Sequence, residues 1–375
     1  MARGKREKKP ERKTGKRILK IILTLIIIAA LAVGGYVAYM YLTYDRIEDN
    51  IETEIDNPLT VNTNIPLDKK LQITSWNIGF AAYLQDYSFF MDGGKESRAR
   101  SEKSVVETMD NITGALQDQN SDLYLVQEVD YDSTRTYKVD ERKILRDGFS
   151  DHSYTFAQNY NSSYILYPFN SPHGANKSGL VTLSDYEIST SIRRSLPIQT
   201  NIAKFMDLDR CYDLMRIPAE GGKDLVLINL HLSAYTTDPT IADKQLEMIY
   251  EQIAQERMNG NYVICGGDFN KDLIGDCGAC FGVKGKEQSW CKPFKKENLP
   301  DGFSLVVPYD KKENIPSNRV ADVPYDPKTT FCTTLDGFIV SDNVEVVKAR
   351  TVQYDFMYSD HNPVNMSFKL KSAAE

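Results

Sequence analysis

The chain has 375 residues, 41% hydrophobic and 26% charged, which excludes a globally disordered, collagen-like or polytopic membrane protein. Its 45 Lys and Arg against 52 Asp and Glu give a net charge of -7, and that average conceals a split. The first twenty residues hold ten Lys/Arg and two Glu, a net +8, while the rest hold 35 against 50, a net −15.

Residues 21–42 (IILTLIIIAALAVGGYVAYMYL) follow the basic segment without a charge. As a helix they measure roughly 33 Å, enough to cross a hydrocarbon core of about 30 Å. Lys and Arg stay on the cytoplasmic side, so residues 1–20 are expected inside and everything after the span outside, at the cell membrane. The competing reading is a cleaved signal peptide, with Ala30-Leu31-Ala32 as its small-residue site, although the apolar run continues ten residues past it. Both readings export the folded part. Residues 43–70 are polar and acidic with two prolines, and read as a short helix followed by an extended stalk. From residue 71 to 371 short apolar runs of strand length alternate with helical patterns at 103–117 and 240–257, the latter preceded by Asp238-Pro239. That alternation predicts one layered α/β domain with mixed sheets. Residues 271–327, rich in Gly, Lys, Asp and Pro, read as a long excursion of loops.

Polar residues recur at the ends of the apolar runs, where α/β architectures place their sites. Asn77 ends TSWN, Glu128 ends LYLVQE, His231 lies in INLHL, Asp268 and Asn270 end VICGGDFN, Asp336 lies in TTLDGF, and Asp360-His361 open DHNP. Taken singly each has a structural reading, such as a cap, a solvated strand end or an Asp/Asn turn. Their joint order carries the signal.

In that order they resemble the endonuclease/exonuclease/phosphatase superfamily, which includes deoxyribonuclease I, apurinic endonucleases, neutral sphingomyelinases and inositol polyphosphate 5-phosphatases. The resemblance runs from about Leu71 to Leu370, with Ser178–Ser184 as a further matching strand. It implies a four-layer sandwich of two mixed β-sheets flanked by helices, here behind one transmembrane helix. It also implies metal-dependent hydrolysis of a phosphate ester. Carboxylate and amide oxygens suit a hard cation such as Mg²⁺, with Mn²⁺ as the substitute, and the expected ligands are Glu128, Asn77 and Asp360. By the same resemblance His361 is the base or phosphate contact and Asp336 orients it. Asp268 aligns or deprotonates the attacking water, Asn270 holds a phosphoryl oxygen, and His231 donates to a phosphate or leaving-group oxygen. Ile78-Gly79 after Asn77, together with His231, departs from the apurinic endonuclease pattern. The basic residue often found just before the LDGF aspartate is replaced by Thr333 and Thr334, leaving Arg319 or Lys328 to supply that charge or to be solvated loop cations. Lys95, Arg98 and Arg100 stand open between a phosphate clamp and an ordinary surface.

Six cysteines in an exported domain can pair, and two among Cys277, Cys280 and Cys291 are candidates to staple the excursion, while Cys265 reads as a buried thiol. A net −15 speaks against sequence-independent DNA binding, and Phe281 and Trp290 can present aromatic surface to lipid or pack internally. The expected substrate is therefore a phospholipid or small phosphoester, and the expected state a monomer. The alternatives are a deoxyribonuclease-like nuclease and, from another class, a non-catalytic binding module on the same fold.

Overall fold

The computed structural model describes residues 11–372 apart from 206, 235–237, 239, 284–287 and 289. Residues 1–10 of the basic tail lie outside the described residues. The chain divides into two compact units, with the boundary between Tyr44 and Asp45.

The first unit is one helix, α1 (Glu11–Thr43), uninterrupted through Ala30-Leu31-Ala32. Its Gly15–Thr43 stretch is long and apolar enough to cross a membrane by length and composition, and none of its apolar window is buried.

Among the described residues, fourteen strands make the two large sheets of the second unit, with three helices of eight residues or more. In chain order these are β1 (Ile51–Glu52), β2 (Ile55–Asp56), β3 (Leu71–Asn77), α2 (Glu102–Gln117), β4 (Leu123–Tyr131), α3 (Glu141–Gly148) and β5 (Ser153–Asn161). There follow β6 (Lys177–Ser184), β7 (Thr190–Ser195), β8 (Cys211–Pro218), β9 (Asp224–His231), α4 (Ile241–Met258) and β10 (Tyr262–Asp268). The last are β11 (Phe303–Val306), β12 (Asp336–Ser341), β13 (Val344–Thr351) and β14 (Val364–Leu370). They form two seven-stranded sheets, ordered β1-β7-β8-β9-β10-β12-β11 and β13-β14-β3-β4-β6-β5-β2.

Each sheet is antiparallel except for one parallel pair, β9 with β10 and β3 with β4. A parallel pair needs a crossover, and α4 and α2 provide them. Because these strands are covered on both faces they read as near-continuous apolar runs. Leu225, Leu227, Ile264, Phe338 and Val340 of one sheet meet Ile73, Leu123, Leu125, Val364 and Met366 of the other in the central core. On the outer faces Val105, Met109, Ile112 and Leu116 of α2 cover Tyr124, Val126 and Val181, while Leu246, Ile249 and Ile253 of α4 cover Val226, Ile228 and Val263. The result is the expected four-layer sandwich.

Residues 45–70, read from the sequence as a stalk, are instead part of the domain. β1 adds to β7 at one sheet edge and β2 to β5 at the edge of the other. Ile65 is fully buried and bridges Ala219, and Leu67 bridges Leu370. These short edge strands gain their backbone bonds from distant partners, which local periodicity cannot reveal. The excursion likewise contributes one edge strand, β11, against β12.

Candidate active site

The C-terminal ends of the two parallel pairs carry the polar residues. Register sets them in a row: Asp268 of β10 lies opposite His231 of β9 on one side and opposite Asp336 of β12 on the other. Two glycines make this possible. A Cβ at Gly266 would lie 2.6 Å from Phe338 of the sheet core, and one at Gly267, where φ is +139°, would lie 2.0 Å from the Leu230 carbonyl oxygen. In the other sheet Asn77 ends β3, and Glu128 sits in a bulge of β4 where Gln127 and Glu128 together face Leu180. Glu128 has φ of +57°, a left-handed conformation unusual for a non-glycine residue, and it turns the side chain out of the strand pattern.

The Asn77 amide nitrogen donates to Glu128 Oε1 at 2.9 Å and to Asp268 Oδ2 at 3.1 Å, joining the two sheets, while its Oδ1 accepts from the Gly79 amide at 3.0 Å. His231 Nε2 lies 3.5 Å from Asp268 Oδ2 and 3.9 Å from Glu128 Oε1. His361 Nε2 lies 3.7 Å from the same Asp268 oxygen, and its Nδ1 bonds Asp336 Oδ2 at 2.8 Å. Asp336 is held in turn by the Ser317 hydroxyl at 2.7 Å. Asn270, in the left-handed region, donates its backbone N–H to Asp268 Oδ1 at 2.8 Å and its amide to the Leu232 carbonyl at 2.7 Å. Asp360 is packed under Gly79: a Cβ there would come within 3.0 Å of its Oδ1.

Burial raises the Asp268 carboxyl to about 7, the nearby Asp336 adding to the effect and His361 opposing it. Burial and the neighbouring Glu128 likewise raise Asp360 to about 7 against His361 and Arg319. Burial works against charging His361, but the Asp336 and Asp268 carboxylates outweigh it and lift the ring to about 10. His231 goes the other way, lowered well below the ordinary range by burial and then by Arg210 and His361. The site thus pairs one charged imidazole with one neutral imidazole, a division suited to proton traffic near neutral pH.

These groups open into a cavity of about 270 Å³ lined by Glu128, His231, Asp268, Asn270, Asp360 and His361. Three guanidinium groups share its wall. Arg135 is held by both carboxylate oxygens of Asp130, at 2.8 and 2.7 Å, and lies over the Phe80 ring. Arg319 donates to the Leu84 carbonyl and Arg210 to the Leu232 carbonyl, and each keeps a buried Nε without a partner.

Of the expected substrate cations, Arg319 is therefore at the cavity. Lys95 and Arg98 are not among its lining residues: Lys95 is exposed and Arg98 Nε is engaged by the Pro172 carbonyl. Lys328 is exposed away from the lining as well. Trp290 lines the cavity, whereas Phe281 packs edge-on against Tyr309. The expected cysteine staple is absent, all six cysteines being free thiols. The Thr333 hydroxyl stands between Cys277 and Cys291, donating to the first at 3.1 Å and 3.6 Å from the second. Cys265 is buried as expected. Sequence reasoning missed Arg210, Ser317 and Asn318, whose side-chain amide lies 2.9 Å from His361 Nε2. None of the three falls at the end of an apolar run, and the last two lie in the excursion.

A family model described as Endonuclease/Exonuclease/phosphatase family matches residues 74–361. The chain belongs to that family. Its fold is similar to the endonuclease/exonuclease/phosphatase from Beutenbergia cavernae DSM 12333, at TM-score 0.55 and 15% identity over 81% of this chain and 72% of that one. It is also similar to ANGEL2, a 2',3'-cyclic phosphatase solved with adenosine-2',3'-vanadate, at TM-score 0.53 and 16% identity over 86% and 99%. No curated protein matches the chain by sequence.

Members of the family are hydrolases of phosphoesters and depend on divalent metal. The donors here fit such an ion. Glu128 and Asp360 face one cavity, and the charged form of Asp360, disfavoured first by burial and further by Glu128, is what a dication would stabilise. Asp268, Asp336 and His361 also bring one ligand atom each within 4.8 Å of one another. Asp336 Oδ2 already accepts from both His361 and Ser317, so that trio works better as a hydrogen-bonded relay than as a ligand set.

Proposed function

We propose that the chain is a membrane-anchored, extracytoplasmic, Mg²⁺-dependent phosphoesterase acting as a monomer on a phospholipid or small phosphoester. The observation that carries this reading is the convergence of Asn77, Glu128, His231, Asp268, Asn270, Asp336, Asp360 and His361 at one end of the sandwich, including two histidines on either side of a single Asp268 oxygen. A binding module without chemistry would have no need of that set.

Glu128 and Asp360, with Asn77 beside them, would hold the ion, which supplies Lewis acidity and a water of lowered pKa. Asp268, held by Asn77 and by the Asn270 backbone, orients the attacking water and takes its proton. Asn270, Arg210 and Arg319 offer donors to the phosphoryl oxygens, whose charge they neutralise. His361, kept charged by Asp336, donates to an oxygen as the ester bond breaks, and neutral His231 positions the opposite face. The exported part's net −15 supports a lipid or small substrate over nucleic acid.

The test is hydrolysis by the purified full chain with Mg²⁺ over a panel of phosphodiesters, phospholipids, inositol phosphates and DNA. Activity on at least one is expected, lost with EDTA, restored by Mg²⁺, and lowered about 10²–10⁴-fold by His361→Ala. No turnover on any of them, or turnover indifferent to EDTA, overturns the reading.

A further inference from the structure

Four large apolar side chains stand exposed, Met91 at 40%, Tyr167 at 55%, Ile202 at 70% and Phe169 at 84%, and the first of them lines the cavity. They are neighbours in space or in loop. The Tyr167 ring lies 5.8 Å from Phe90 and 6.1 Å from Phe169, and the Tyr167 carbonyl accepts from the backbone of His173, which lines the cavity with Met91. Ile202 is carried by the loop whose two sides, Gln199 and Leu208, also line it. Other exposed apolar residues, such as Leu59 and Met258, stand singly and need no explanation.

The first residues of the second unit are anchored at this same end of it. The Asp45 carbonyl accepts from the Asn161 amide at the end of β5, and Arg46 donates to the Leu196 carbonyl just past β7 at 2.7 Å. Asn161 opens the loop that bears Tyr167 and Phe169, Leu196 precedes the one that bears Ile202, and Tyr160 lines the cavity. Two residues separate Thr43 from Arg46, three steps of chain with a reach of about 10 Å fully extended. With residues 45–56 pinned to the sheet edges there is no slack to add.

We propose that Met91, Tyr167, Phe169 and Ile202 form a docking rim that enters the interfacial layer of the bilayer spanned by α1. Aromatic and aliphatic side chains at that depth bind by burying apolar area, and the cavity then opens on lipid headgroups, whose phosphoester is the substrate. This rests on the membrane-span and phosphoesterase readings above and assigns the surface that joins them.

The full chain carrying Phe169→Trp, reconstituted in nanodiscs of phosphatidylcholine with brominated acyl chains, tests the rim directly. Extra indole quenching over the unsubstituted chain, which has Trp76 and Trp290, is expected, and equal quenching in the two overturns the proposal. A Tyr167→Ser/Phe169→Ser/Ile202→Ser variant should hydrolyse vesicle phospholipid about tenfold more slowly and bis(p-nitrophenyl) phosphate at the parent rate. Equal losses on both substrates mark these residues as merely structural and overturn it too. A parent chain inert toward both substrates defeats the phosphoesterase reading instead, and quenching alone then decides the docking.

Discussion

Among the guanidinium groups at the cavity, availability separates Arg135 from Arg210 and Arg319. Arg135 spends its fork on Asp130, whereas Arg210, with one Nη 3.7 Å from Asp207, keeps an unpartnered buried Nε beside His231. A buried donor without an acceptor is costly, and an incoming phosphoryl oxygen would satisfy it. Arg210→Ala should therefore lower kcat/KM on a soluble phosphodiester by about 10²–10³, as removal of one preorganised donor does elsewhere. Arg210→Lys should recover little of it, since an ammonium cannot reproduce the fork. Steady-state kinetics decide the matter: a loss below about threefold would show that Arg210 only props the Leu232 carbonyl. The sequence held no hint of this residue, because it stands just before β8 in a left-handed turn, at φ +44°, and belongs to no motif. His231, Asp268 and Asp336 were legible because register, not loop folding, places them: they end or begin neighbouring core strands.

At the scale of elements, the apolar runs gave the core strands because strands covered on both faces leave a dense Val/Ile/Leu signature, and α2 and α4 because their buried stripes repeat at helical spacing. The β4 bulge was not legible, since nothing in LYLVQEV distinguishes seven paired residues from a pair set against one. The bulge is nonetheless what aims Glu128 at the cavity, and it holds that residue at φ +57°, at a cost of order 1–3 kcal/mol. Asparagine tolerates this conformation better and carries no charge to repel Asp360. Glu128→Asn should abolish Mg²⁺-dependent turnover while the metal-free protein melts at the parent temperature or a few degrees above it. A clear fall in Tm in EDTA would mean that the bond from Asn77 to Glu128 stabilises more than the bulge strains.

Across the whole molecule the least legible feature was the segment 45–70, whose polar, proline-bearing sequence suits a stalk and whose strand partners lie about a hundred residues or more away. Those partners form a network joining both sheets. Thr53 Oγ1 lies 2.8 Å from the Thr155 hydroxyl and donates to Ser191 Oγ at 2.5 Å, and Ser191 donates to Asp213 Oδ1 at 2.8 Å. Asp213 ends the network fully buried, its Oδ2 without a partner. Burial raises its carboxyl to about 7 from an ordinary 3.8, against the Ser191 bond and Arg193, the charged group facing it, with the Cys211 thiol its other titratable neighbour. The folded chain therefore holds this proton more tightly than the unfolded one. Below about pH 4 both states are protonated and the group contributes no slope. Between there and about 7 the unfolded state releases the proton first, so stability falls as pH rises, by an amount on the order of a few kcal/mol. Asp209, raised to about 7 by burial, adds a slope of the same sign. Asp213→Asn should accordingly flatten, without erasing, the decline in urea midpoint from pH 4.5 to 8, and the variant should gain on the parent most at the alkaline end. A variant whose difference from the parent is the same at every pH would show that Asp213 is ionised in the folded chain and that the strap network is held by a charge.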